Sequence, residues 1–125
     1  MRYAFAAAAF FLISAGCGGS GTSATPSPKP SAEVTIVAVD RLFDLETITV
    51  PEGSRVTITL QNEDADPHNI AIYESRAAEE EIFVSETIAG RGTETKGSFD
   101  APPEGEYFFR CDVHPVTMIG DFIVE

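Results

Sequence analysis

From about residue 33 onward, apolar residues recur in short runs, several of them at every second position. The clearest run is Arg55-Val56-Thr57-Ile58-Thr59-Leu60. Strand side chains alternate between faces, so this run predicts a half-buried strand with Val56, Ile58 and Leu60 inward. Residues 34–39 and 47–50 predict two earlier strands, the second stopped by the turn signal Pro51-Glu52-Gly53. After a polar loop over 62–67, residues 68–73 resume the strand pattern. Residues 82–84 and 87–88 give two weaker strand signals, preceded by a single helical turn over 77–81. Gly97-Ser98-Phe99 leads into a second turn, Ala101-Pro102-Pro103-Glu104-Gly105. Residues 106–110 and 120–124 predict the last two strands. Short strands, turn punctuation and little helix predict an all-β sandwich or barrel. No internal repeat is visible.

The first 32 residues have a different pattern. Residues 1–16 hold Arg2, then an apolar run over 3–13, then small residues. That is the layout of a signal peptide, too short to span a bilayer as a mature helix. Its end, Ile13-Ser14-Ala15-Gly16-Cys17, resembles a bacterial lipobox, with Ser14 standing where Leu is usual. The resemblance implies cleavage before Cys17 and a diacylglycerol on its sulfur. The protein would then sit outside the cytoplasm, anchored to the bacterial cell membrane on its periplasmic or cell-surface side. Residues 17–32 are rich in Gly, Ser and Pro and lack apolar periodicity, so they predict a linker. Its fifteen residues after Cys17 would hold a domain about 20 to 45 Å from the membrane. Leader and linker are expected to be disordered, and residues 33–125 to form one domain with a single core.

The chain of 125 residues carries a formal charge of −12. The leader contributes Arg2 and no acid, so the rest is one unit more negative. Phosphate binding needs a basic patch, so nucleic acid is excluded as a partner. An acidic surface suits a cationic protein partner or serves solubility alone. The acids of the domain gather at Glu63-Asp64, Asp66 and Glu79-Glu80-Glu81, mostly in loops, and read as a solvated face. Two cysteines in an exported chain ordinarily pair. Here Cys17 ends the leader and Cys111 lies among metal donors, which predicts two unpaired thiols with separate roles.

Those donors are concentrated in Cys111-Asp112-Val113-His114-Pro115-Val116-Thr117-Met118. A thiol, an imidazole and a thioether occupy one loop between the last two strands. A second imidazole, His68, lies upstream in Pro67-His68-Asn69. Two imidazoles and a thiolate in a plane, with a weak axial thioether, suit copper in both of its oxidation states. Zinc would accept Cys and two His, but a thioether is a poor zinc ligand. Taken singly, each donor has an ordinary reading: a turn histidine, a core cysteine, a core methionine. Their coincidence in one short loop is what favours metal. No Ser/His/Asp set or carboxylate pair points to an enzyme.

Pro67-His68-Asn69 followed by Cys111-x-x-His114-x-x-x-Met118 resembles a blue-copper cupredoxin of the plastocyanin and amicyanin group, across the whole domain. The resemblance implies a Greek-key β-sandwich of seven or eight strands. It implies one mononuclear type 1 copper held by His68, Cys111, His114 and Met118. It implies that Asn69 ties the two ligand segments together by hydrogen bonds. It implies a monomer that carries one electron at a time between redox proteins, such as cytochromes or a copper oxidase or reductase. Copper storage or delivery would use the same donors, and a metal-free interaction module is the third class. Three residues separate His114 from Met118, against four in plastocyanin-like loops and two in amicyanin-like ones. Arg110 replaces the aromatic that precedes the cysteine in plastocyanins. On strand alternation, Tyr107 and Phe109 share the Cys111 face, while Phe108 and Arg110 face the other way. Pro67, Pro115, Val116 and Ile119 are expected to form an apolar collar around the ligands.

Overall fold

The computed structural model describes Gly18, Gly19, Gly21 and residues 23–125. The expected leader over 1–16 and the expected lipid site at Cys17 lie outside the described residues. Among those described there are nine strands and no helix: β1 Ser31–Val39, β2 Leu42–Phe43, β3 Thr47–Val50, β4 Arg55–Asn62, β5 Ala71–Tyr73, β6 Glu81–Val84, β7 Thr93–Asp100, β8 Gly105–Arg110 and β9 Ile119–Val124. They form two sheets, ordered β2-β1-β4-β7 and β3-β9-β8-β5-β6. β1 runs parallel to β4 and β3 parallel to β9, and the other pairings are antiparallel.

Alternation places the core between the sheets. Ile36, Ala38, Val56, Ile58, Leu60 and Phe99 face inward from one sheet. Ile48, Val50, Ile72, Phe109, Phe122 and Val124 face them from the other. A smaller cluster of Ala71, Tyr73 and Phe108 lies on the outer face of the second sheet. Phe108 and Phe109 therefore point to opposite faces, and Arg110 lies with Phe108 by placing its guanidinium 4.9 Å from the Tyr73 ring centre.

The structure departs from the sequence pattern in several places. The strand count is nine rather than seven or eight. β7 is the long addition: its inward positions are Thr93, Thr95, Gly97 and Phe99, only one of them large and apolar, so alternation barely registers. A Cβ on Gly97 would lie 2.6 Å from Phe83 Cζ, so the missing side chain is the space that the Phe83 ring fills from the other sheet. β2 follows a two-residue hairpin turn at Asp40 and Arg41, both at positive φ (52° and 58°). That turn favours Asn-Gly and carries neither residue here. Strand structure after the 62–67 loop begins at Ala71, not His68. Of the expected strand over 87–88, only a single bridge from Ile88 to His68 remains. The expected helical turn over 77–81 is a non-helical turn with Ala78 at φ 53°. Ser31 and Ala32, expected in the linker, already pair with Arg55 and Val56.

Candidate metal centre

The donors gather at one end of the sandwich, where β4, β5, β8 and β9 meet their loops. β8 ends at Arg110, and the next eight residues fold back on themselves. Cys111 N–H donates to Met118 O (2.9 Å) and Met118 N–H to His114 O (3.1 Å). These two bonds close the loop and turn the donors of residues 111 and 114 the same way. His68 reaches them from the β4–β5 connection. Its backbone is pinned by a reciprocal pair with Ile88, each N–H donating to the other's carbonyl at 2.9 Å.

The Cys111 Sγ lies 3.9 Å from His68 Nδ1 and 3.9 Å from His114 Nδ1. All three ligand atoms fall within 4.8 Å of one another. The imidazole centroids are 4.9 Å apart. His68, Cys111 and Met118 are completely buried, and His114 is half-buried. Met118 belongs to the same apolar cluster as Cys111. One soft thiolate, two imidazoles and a neighbouring thioether fit copper, which accepts soft sulfur and borderline nitrogen together. His68, Cys111, His114 and Met118 form a candidate copper site. No disulfide competes for the thiol, since Cys111 is free.

Two carboxylates support these donors, and neither was singled out from sequence. Asp112 follows Cys111 and binds Asn69 twice: Asp112 N–H donates to Asn69 Oδ1 (2.7 Å), and Asn69 Nδ2 donates to Asp112 Oδ2 (3.1 Å). Asn69 thus joins the His68 segment to the Cys111 segment. Asp112 Oδ1 also accepts from Tyr73 OH and from Arg110 Nε, both at 2.8 Å. Burial pushes the Asp112 carboxyl up, but the donors Asn69, Arg110 and Tyr73 outweigh it and hold the group below the usual carboxylate range. The Tyr73 phenol is raised by burial and by its bond to that carboxylate.

Asp64 corrects the reading of the loop acids as a solvated face. It is buried, its carboxylate accepts from Asp40 N–H and Arg41 N–H (both 2.9 Å), and its Oδ2 lies 2.9 Å from His68 Nε2, within hydrogen-bond distance. Glu63 and Glu79-Glu80-Glu81 do face solvent. The only sequence signal for Asp64 was an acid four residues before a histidine in a polar loop, which is common without consequence. Around the ligands, Val113, Val116 and Ile119 are exposed, Val116 to 83%. Pro67 and Pro115 are exposed as well.

Residues 3–124 match the family model described as a cupredoxin-like domain. This chain belongs to the cupredoxin-like family. Reduced auracyanin from the photosynthetic bacterium Roseiflexus castenholzii superposes with a TM-score of 0.68 at 25% identity, over 77% of this chain and 98% of that one. Auracyanin A, described as a "blue" copper protein of Chloroflexus aurantiacus, gives 0.67 at 22% identity, over 77% and 100%. A reduced amicyanin variant gives 0.55 at 21% identity, over 80% and 95%. No curated protein sequence matches this cupredoxin significantly.

Proposed function

We infer that this cupredoxin binds one type 1 copper and carries single electrons between redox proteins outside the cytoplasm, without transforming a substrate. The observation that carries this reading is the convergence of Cys111, His68 and His114 within 4.8 Å at one end of a rigid sandwich. Copper, when bound, supplies the one-electron couple. The chain's own residues make that couple usable. Cys111 gives the thiolate, and full burial keeps solvent and oxidants from its sulfur. Met118, buried in the same apolar cluster as Cys111, would offer the ion a weak thioether sulfur. His68 is fixed by the β-bridge at its backbone and a hydrogen bond at its ring. A site fixed by packing and hydrogen bonds moves little when charge arrives. His114 is the only imidazole of the pair that reaches the surface, so with copper bound it would be the edge through which an electron is exchanged. The exposed Val113, Val116 and Ile119 around it offer an apolar face for a partner's own redox site.

The blue-copper description of auracyanin A supports the same reading. The signal-peptide pattern of residues 1–16 and the lipobox-like Cys17 support export and anchoring to the bacterial membrane. An anchored carrier on a linker meets redox partners, such as cytochromes or copper oxidoreductases, held at the same membrane.

The test is the visible spectrum after adding cupric ion to the purified protein. An intense thiolate charge-transfer band that disappears in Cys111→Ser, with reversible one-electron cycling, is expected. Tight cuprous binding without colour would point to copper storage or delivery instead.

A further inference from the structure

The hydrogen bond between Asp64 and His68 has a consequence for the copper couple. His68 is completely buried and its two ring nitrogens face different groups. Nδ1 faces the Cys111 sulfur at 3.9 Å, and Nε2 lies 2.9 Å from Asp64 Oδ2. An ionised carboxylate can only accept, so Nε2 carries the proton, and in the neutral imidazole Nδ1 then presents its lone pair to the ligand cluster.

Asp64 is itself held from outside its loop. Its Oδ1 accepts from Asp40 N–H and its Oδ2 from Arg41 N–H, the two turn residues of the β1–β2 hairpin. Both sit in the left-handed region without being glycine, a conformation that costs about 1 kcal/mol or more per residue. Successive N–H groups in such a turn form a concave anion seat. Asp64 N–H donates in turn to Asn62 Oδ1 (2.8 Å), which fixes the carboxylate from its own backbone. The strained hairpin, the carboxylate and the imidazole make one rigid chain from β1 to the ligand cluster.

We propose that Asp64 is a positioning residue that locks His68 as the Nε2–H tautomer and, by placing a full negative charge on that N–H, biases bound copper toward its cupric form. The inference rests on the copper reading above. A carboxylate on the remote nitrogen makes the imidazole a stronger donor, and the more highly charged ion gains more from it. No proton is exchanged as the electron comes and goes.

The tautomer is read in copper-free protein by nitrogen-15 NMR of His68, which does not depend on copper binding. Wild type is expected to show Nε2–H alone, and Asp64→Ala a mixture of tautomers. Asp64→Asn can keep its one oxygen toward His68 Nε2 and Arg41 N–H, while its amide nitrogen replaces the oxygen that accepts from Asp40 N–H; it keeps the tautomer and removes the charge at the expense of that one turn bond. Its cupric affinity should fall about tenfold relative to its cuprous affinity, within the usual range for losing such a partner. For a one-electron couple that is a rise of about 59 mV in reduction potential. Asp66→Asn removes the same charge from the same loop without touching His68, and should shift the potential less. A single tautomer in Asp64→Ala would overturn the positioning role, and an unchanged potential in Asp64→Asn the electrostatic one. If Asp64→Ala does not fold, wild-type His68 carrying its proton on Nδ1 overturns the proposal equally well. Failure of wild type to bind copper would sink the copper reading while leaving the tautomer result to stand on its own.

Discussion

The two ends of the sandwich are built from the same strands but held by different forces. At the end away from the ligands, the turns after β3 and after β7 are closed by short local bonds. Ser54 Oγ donates to Pro51 O (2.7 Å), and Tyr107 OH to Pro103 O (2.7 Å). The rest is backbone pairing, such as Glu52 N–H to Glu125 O (2.9 Å), and the exposed ion pairs of Asp100 with Lys29 and Arg55. Ser54 is the only buried polar residue there among the described residues. The ligand end buries four: Asn62, Asp64, His68 and Asn69. Two of its ties, Asp64 to the Asp40–Arg41 turn and Asn69 to Asp112, join segments far apart in sequence. A buried polar network is stabilising only when every member is satisfied, and no buried side-chain polar atom described here lacks a partner. The difference teaches that one end needs only to turn the chain, while the other must hold donors to a fraction of an ångström.

The sharpest way to test that contrast is to add one methyl group at each end. Gly120 and Gly105 are both in strands of the second sheet. A Cβ on Gly120 would lie 2.6 Å from the Glu46 carbonyl oxygen and would also meet the Phe109 ring. A backbone carbonyl cannot rotate away, so Gly120→Ala should cost about 3 kcal/mol or more. A Cβ on Gly105 would meet only the Tyr107 ring, at 3.5 Å, an ordinary contact. Gly105→Ala should stay within about 0.5 kcal/mol of wild type. Denaturant midpoints measure both, and equal losses would mean that the ends are packed alike.

Removing one buried polar side chain at each end gives the next largest difference. Asn62 donates to Asp66 O (2.9 Å) and Ile88 O (3.3 Å) and accepts from Asp64 N–H (2.8 Å). Asn62→Ala strands three backbone partners on two segments, at a cost of about 2 to 4 kcal/mol. Ser54 makes one side-chain bond, within its own turn. Ser54→Ala should cost about 1 kcal/mol. Thermal unfolding compares the two, and a Ser54→Ala loss as large as that of Asn62→Ala would erase the distinction.

The same contrast explains what could be read from the sequence. The far end was legible because its turns are local: Pro51-Glu52-Gly53 and Ala101-Pro102-Pro103 announce themselves within a few residues. β4 was legible because Val56, Ile58 and Leu60 alternate strictly. The donors were legible because Cys111, His114 and Met118 share one loop and His68 offers a second imidazole upstream, and the resemblance supplied the role of Asn69. β7 was not, since Gly97 and two threonines occupy its inward positions and the Phe83 ring fills the gap from the opposite sheet. The Asp40–Arg41 turn was not, since its left-handed residues lack the usual glycine and are stabilised by Asp64, more than twenty residues away. Asp64 and Asp112 were hidden for the same reason. An acid in a polar loop looks solvated until the fold brings it donors.

Acid separates the ends by a smaller margin and with a definite sign. Asp112 and Asp64 at the ligand end, and Asp100 at the far end, all have carboxyls held below their ordinary value. For Asp64 the leading cause is the Arg41 N–H bond, and for Asp100 it is the Lys29 bond. A carboxyl whose pKa is depressed by folding contributes its full stabilisation above the unfolded value. That contribution drains away as pH falls through the lower folded value. The loss should therefore begin near pH 4, the ordinary aspartate value, and grow below it. Asp112 is about one-third exposed and bonded by Asn69, Tyr73 and Arg110, so its share should be about 1 kcal/mol. Asp100 is exposed, and water screens its partners. Urea unfolding of copper-free protein at several pH values from 5 down to 2.5 checks this. Asp112→Asn should flatten the fall in stability with acid, whereas Asp100→Asn should leave its slope nearly as in wild type. The copper-free form isolates the carboxylates, because a bound metal would add the protonation of its own ligands to the same pH range. A steeper change from Asp100→Asn would place the acid-sensitive hold at the far end, and the division of labour between the two ends would be reversed.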